Sequence, residues 1–340
     1  MTSFILRIFF IIPIWLLRVL TMKKKIMKNN QILDFQTQIF LSLQSLQSAD
    51  LESFELIESV DEFRREMTES RMGLPINAKP DSIVRSIDHQ INIEEDINLS
   101  IREYIPESIE TSTPILYFHG GGYVIGSIET HDQWLRFFAS KMRARIFSLD
   151  YRLAPENKFP CALKDANSAL EWIAKKDDFS ISSISVCGDS AGAHLAASVS
   201  TYRTHKNLEL PHSQCLIYPM TDPSCGSVSQ QDLKTGYFLT HKAIIWFWSQ
   251  LKKSKNDIYD PCFNLLKDHD RTLPRTLIIT AGFDPLCDEG EAYADKIFKA
   301  GNEVQQIHYP HLIHGFVNIT GLKSAKYAAI DLINTYKTYL

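Results

Sequence analysis

The chain has 340 residues and a net charge of −4, from 36 Lys+Arg against 40 Asp+Glu. Its 44 % hydrophobic and 22 % charged residues are ordinary for a globular protein, which excludes collagen-like, disordered and disulfide-scaffold chains. There is no basic surplus to point to a nucleic-acid partner, and the length suits one large α/β domain or two medium ones.

Charge is unevenly placed. Residues 1–28 carry Arg7, Arg18, Lys23, Lys24, Lys25 and Lys28 and no acid, so this leader is +6 and the remainder −10. Phe4 to Leu20 is mostly apolar, but Arg7, Pro13 and Arg18 interrupt it, and the uncharged run Ile8 to Leu17 is shorter than the ~20 residues that span a bilayer. No small-residue cleavage site follows. Three readings stay open: translation starting at Met22 or Met27, weak membrane association through the segment, and a cleaved signal. Inserted, the lysines would keep the body on the cytoplasmic side.

Two helices are expected next. Ile32, Phe35, Ile39, Leu43 and Leu46 form one apolar stripe; Phe54, Ile57, Val60, Phe63 and Met67 form a second, with Asp50 as an N-cap. Gly73, Pro75 and Pro80 break the chain, and Ile87 to Ile93 and Leu99 to Ile105 then alternate as half-buried strands. From Ile115 the pattern changes to short continuous apolar runs: Ile115–Phe118, Ile146–Leu149, Ile184–Cys187, Leu216–Tyr218, Leu277–Thr280 and Val304–Tyr309. Helix-like stretches lie between several of them, including Ala162 to Ala174 and Glu289 to Ala300, the latter closed by Gly301. Such alternation indicates a parallel sheet covered on both faces. Residues 204–273, with Trp246, Phe247 and Trp248, are long for a connection and read as an insertion covering something. The six cysteines form no CxxC pair, which removes zinc-ribbon and thioredoxin readings and favours free thiols in a reducing, cytoplasmic compartment.

The chemistry sits at strand ends. Gly188-Asp189-Ser190-Ala191-Gly192 is a G-x-S-x-G pentapeptide directly after a strand and before the helix-like Ala193–Val199, the setting of a nucleophile elbow. Its glycines are needed where neighbouring backbone would clash with a Cβ. His119-Gly120-Gly121-Gly122 follows the strand Ile115–Phe118; side-chain-free residues let backbone N–H groups of Gly121 and Gly122 converge, with that of Ala191, on an oxyanion. His119, Gly120 and Asp189 support this loop and elbow. A serine needs a base and the base an orienting acid. In chain order these are Asp284, after Leu277–Thr280, and His314, after Val304–Tyr309. Asp288 is a competing acid one helical turn further on. His308, His311 and His314 could suggest a metal, but Pro310 prevents one helix face presenting them, so none is expected. His194, four residues past the nucleophile, is expected to be structural and near the pocket.

These segments, with Tyr123, Asp150-Tyr151-Arg152-Leu153-Ala154-Pro155-Glu156, Asp284-Pro285-Leu286-Cys287-Asp288-Glu289-Gly290 and His314-Gly315-Phe316, make residues 30–340 resemble the hormone-sensitive lipase group of α/β-hydrolases. The resemblance implies an α/β-hydrolase fold with an eight-stranded, mostly parallel sheet. It implies a helical cap built from about 30–75 and about 205–262 on a body of 29–340. It also implies cofactor-free hydrolysis of small-molecule esters, usually of short acyl chains. Two positions depart from it: Ala193-His194 stands where Gly-Asn is usual, which would reshape the pocket, and Cys287 where a basic residue is usual. The same triad would serve amide or arylamine deacylation, and the fold also carries non-catalytic ligand receptors. Some animal relatives have an N-terminal membrane anchor.

Overall fold

A computed structural model describes residues 16, 25–28, 30–45, 59–72, 77–94, 97–267 and 272–340. Nearly all of the basic leader, Asp50, Phe54 and Ile57 lie outside the described residues. Among those described, no helix is long and apolar enough to cross a membrane.

A two-residue-per-strand hairpin, β1 (Met27–Lys28) and β2 (Gln31–Ile32), precedes helices α1 (Phe35–Ser45) and α2 (Val60–Met72). The second helix starts just after Ser59, whose hydroxyl accepts from the Glu62 N–H at 3.3 Å. The main sheet contains β3 (Val84–Glu94), β4 (Ile97–Pro106), β5 (Ile115–Phe118), β6 (Ile146–Leu149), β7 (Ser185–Asp189), β8 (Ser213–Ile217), β9 (Arg275–Phe283) and β10 (Val304–Ile313). Their order is β10-β9-β8-β7-β5-β6-β4-β3, and only the β3–β4 and β4–β6 pairs are antiparallel. Pro310 sits in β10, an edge strand, where a missing N–H does least harm.

Strand parity divides the core in two. Leu116 and Phe118 of β5, Val186 of β7, Leu216 of β8 and Ile278 of β9 face one layer. Tyr117, Cys187, Cys215, Ile217, Leu277 and Ile279 face the other. This follows from the two-residue period of a strand whose both faces are apolar. The first layer is closed by α4 (Cys161–Asp177), α5 (Ala191–His205) and α8 (Cys287–Lys299), through residues such as Leu170, Ala193 and Ile297. The second is closed by α3 (Ile128–Met142) and α9 (Lys323–Lys337), through Trp134, Phe138, Leu332 and Tyr336. The α3 helix is fixed at its start by a Ser127–Thr130 capping box. Gly301, at φ 88°, returns its N–H to Phe298 just beyond α8, as the glycine signal predicts.

The insertion after β8 contains α6 (Val228–Asp232) and α7 (His241–Leu251). Phe247 and Trp248 of α7 join the first core layer. The first helix behaves differently from the cap role implied for it. Leu33 and Phe40 join the second core layer with Phe316 and Ala325, and Gln36 accepts from the Lys323 N–H at 2.9 Å. The α1 helix therefore packs on the α9 side of the body, because its apolar stripe meets a buried surface there.

Candidate active site

Ser190 stands between β7 and α5 with φ 57° and ψ −119°, a backbone state that ordinary side chains avoid. The turn is this sharp because its glycines admit neighbouring backbone. A Cβ on Gly188 would lie 2.3 Å from Gly192, and one on Gly192 would lie 2.0 Å from the Phe118 carbonyl oxygen. The Ser190 N–H donates to the Ile217 carbonyl, anchoring the elbow to β8.

The Ser190 hydroxyl lies 2.9 Å from His314 Nε2, and His314 Nδ1 lies 2.8 Å from Asp284 Oδ2. All three residues are buried. The second Asp284 oxygen accepts from the Leu286 N–H at 2.8 Å, so the carboxylate has one orientation. The structure thus brings together the serine, histidine and acid read from three separate strand ends. The competing groups are engaged elsewhere. Asp288 accepts from the Ser229 N–H at 2.7 Å; His308 bonds Thr280 and Gln31; the His311 carbonyl accepts from Asp34.

Gly121 and Gly122 line the cleft beside Ser190. Gly121 has φ 128° and its carbonyl accepts from the Val124 and Ile125 N–H groups; Gly122 has φ 61° and packs against the Phe247 ring. Ala191 opens α5, so its N–H is among those that a helix leaves without an intrahelical partner. His119 stacks on Tyr151 at 4.3 Å and its Nδ1 meets the Gly120 carbonyl at 2.9 Å, bracing the loop rather than facing the serine. Asp189 is the hub. It accepts from the Gly120 N–H (2.9 Å), the Tyr117 hydroxyl (2.8 Å) and the Asn318 amide (3.2 Å), joining the glycine loop, the sheet and the loop after His314.

The cleft above the serine is apolar. Phe63 and Met67 come from α2, Ile244 and Phe247 from α7, and Phe238 and Leu239 from the segment before α7. Here the second stripe of the sequence and its aromatic cluster meet. Arg64, which sequence reasoning passed over, fastens α2 to the body. It donates to the carbonyls of Val124 and Ala154, each at 2.7 Å, and forks onto Glu156 at 2.9 and 2.7 Å. The bond to Glu156 raises the guanidinium pKa further above its usual value. Its one signal is position, beside Phe63 on a helix whose other face is solvated.

Two further buried groups frame the site. Glu289 accepts from the Thr221 N–H (2.7 Å), the Asp222 N–H (3.2 Å) and Gln230 (2.7 Å), tying the first turn of α8 to the loop after β8. Burial raises its pKa to about 8. It lies within the quoted Asp284–Gly290 segment, which was its available signal. His194 bonds the Tyr123 hydroxyl (2.6 Å) and the Phe263 carbonyl (3.0 Å), and burial lowers its pKa to about 4. It lines a small cavity with Phe159 and Cys262 rather than the cleft over Ser190. The departure at this position therefore changes how the insertion is held, not the pocket wall. The six cysteines are all free thiols.

Known proteins agree with this architecture. The profile described as alpha/beta hydrolase fold matches residues 115–318. The carboxylic ester hydrolase LipN of Mycobacterium tuberculosis is 35 % identical over 250 residues, covering 70 % of this chain and 66 % of the relative. The ethyl acetate hydrolase of Pseudomonas putida is 33 % identical over 268 residues, covering 76 % of this chain and 83 % of the relative. Among solved structures, the ester-hydrolase EH1AB1 from the metagenome of Lake Arreo superimposes with a TM-score of 0.82 at 30 % identity, covering 90 % of this chain and 99 % of that one. The chain belongs to the alpha/beta hydrolase fold family.

Proposed function

We propose that this protein is a serine carboxylesterase acting on small-molecule esters of short to medium acyl chains, with Ser190, His314 and Asp284 as its catalytic triad. The observation that carries the reading is the continuous path from the Ser190 hydroxyl through His314 to Asp284, at 2.9 and 2.8 Å. His314 Nε2 takes the serine proton as the hydroxyl attacks the ester carbonyl. Asp284 holds Nδ1–H and stabilises the imidazolium. The N–H groups of Gly121, Gly122 and Ala191 receive the oxyanion. His314 then protonates the leaving alcohol, and water attacks the acyl-enzyme by the same route to release the acid.

In this reading α2 and the insertion of about 205–262 form the cap, and the apolar lining from Phe63, Met67, Ile244 and Phe247 supports an acyl or aryl substrate over a charged one. The bonded serine–histidine pair also weighs against a receptor that has lost its chemistry. Ser190→Ala is expected to abolish p-nitrophenyl butyrate hydrolysis with the circular dichroism unchanged. A fluorophosphonate probe is expected to add one label, on Ser190. Wild-type turnover in Ser190→Ala, or labelling at another residue, overturns the assignment.

A further inference from the structure

Outside the catalytic cleft, three metal-ligating side chains of different chemistry converge beside α8. Cys287 Sγ lies 3.6 Å from Glu291 Oε1 and 3.9 Å from His308 Nδ1, and the last two atoms are 3.4 Å apart. Cys287 and Glu291 are four residues apart on one helix, hence on one face. His308 reaches them from β10, where it pairs with Thr280 of β9. A tetrahedral zinc ion with ordinary bond lengths separates its sulfur and oxygen ligands by about 3.6 Å, sulfur and nitrogen by about 3.6 Å, and nitrogen and oxygen by about 3.4 Å. The three observed separations match those edges to within a few tenths of an ångström.

The histidine is already oriented for coordination. With the Gln31 amide oxygen turned toward His308 Nε2 at 3.0 Å, the Gln31 nitrogen donates to the Pro310 and Gly282 carbonyls, each at 3.2 Å. That network places the proton on Nε2 and leaves Nδ1 unprotonated, 3.9 Å from the thiol and 3.4 Å from the carboxylate, the tautomer that outer partners impose on a metal-binding histidine. The Thr280 hydroxyl at 3.0 Å is the group a cation displaces from that lone pair. Burial, then Glu291, Asp284 and Asp288, push the Cys287 thiol pKa up, and the same carboxylates favour a cation beside it.

We propose that Cys287, Glu291 and His308 form a binding site for one borderline-soft divalent cation, zinc by ligand type, with water as the fourth ligand. Binding replaces the thiol proton, which leaves to solvent, and clips the first turn of α8 to β10. Cys287 donates its N–H to the Asp284 carbonyl at 3.0 Å, so the clip holds the turn that carries the candidate catalytic acid.

The test uses full-length protein treated with EDTA and then titrated with Co²⁺ or Zn²⁺. One Co²⁺ per chain is expected, with an intense near-ultraviolet thiolate-to-cobalt band and tetrahedral visible bands. Cys287→Ser loses the near-ultraviolet band, His308→Gln weakens binding at least ~10-fold, and Gln31→Ala weakens it about 10–100-fold through the lost outer partner. Zn²⁺ raises the melting temperature of the wild type and not of His308→Gln, which also covers the case of a poorly folded Cys287→Ser. Identical cobalt spectra and stoichiometry in wild type and either ligand variant, or no binding to the wild type, overturn the proposal.

Discussion

Gly122→Ala perturbs the glycine loop proposed to hold the oxyanion, at one atom. The added Cβ would stand 2.1 Å from Cγ and 2.3 Å from Cδ1 of Phe247, where ordinary contact begins near 3.4 Å, so ring or loop must yield by about 1.3 Å. The ring has little room to retreat, since Phe247 is buried in the first core layer and packs edge-on against Trp246. The residue also sits at φ 61°, which costs a side-chain-bearing residue about 1–2 kcal/mol. Overpacking adds a further ~1–3 kcal/mol. If the loop yields, its N–H moves by roughly the distance that misplaces a catalytic group, and the loss in kcat should be about 10²–10³. Steady-state hydrolysis of p-nitrophenyl butyrate measures it. The double variant Gly122→Ala/Phe247→Ala removes the overlap and leaves only the backbone cost, so at least ~10-fold of the lost kcat should return relative to Phe247→Ala alone. A Gly122→Ala enzyme within about threefold of wild type, or no recovery in the double variant, refutes the reasoning.

Three other outcomes follow from the same geometry. Asp284→Asn keeps the shape but favours the wrong histidine tautomer, and kcat should fall by on the order of 10⁴, measured at fixed pH with saturating ester. Arg64→Met frees α2 from the carbonyls of Val124 and Ala154; KM should rise about tenfold while kcat changes little, since the triad is untouched. Glu289 holds its proton up to about pH 8 in the folded protein, against an ordinary value of 4.5 in the unfolded chain. Its contribution to stability is therefore fully present below 4.5 and is lost as pH rises toward 8, after which it is constant. Thermal melts from pH 5 to 9 should show that decline, and Glu289→Gln should flatten it.

Much of the sheet was legible because its central strands are continuous apolar runs with abrupt ends. β5 and β6 coincide with Ile115–Phe118 and Ile146–Leu149. β8 and β9 begin earlier than their apolar runs because polar residues there are buried and paired across strands: Ser185 with Ser213 at 2.8 Å, and Gln214 with Thr276 at 2.8 Å. Hydropathy reads such residues as loop. The serine, acid and histidine could be found because each follows a strand in a fixed chain order. Arg64 and the Cys287–Glu291–His308 cluster could not, since their meaning depends on tertiary placement and on the register of β9 with β10, which no local pattern encodes. The packing of α1 against α9 is of the same kind.

The bonds to Asp189 have a mechanical consequence. Strand β5, the glycine loop that follows it and the segment after His314 are all dimensioned from one carboxylate, so thermal displacements in them are shared rather than summed. The segments above the cleft are referenced to other points, Arg64 below α2 and His194 below the insertion. Under the proposed mechanism, the upper layer can be rebuilt for a new acyl group away from Phe247, whose ring packs on Gly122, without touching the path from Ser190 through His314 to Asp284. In the proposed enzyme, substrate choice and bond-breaking would rest on segments fastened to the sheet at different places and meeting where Phe247 packs on Gly122.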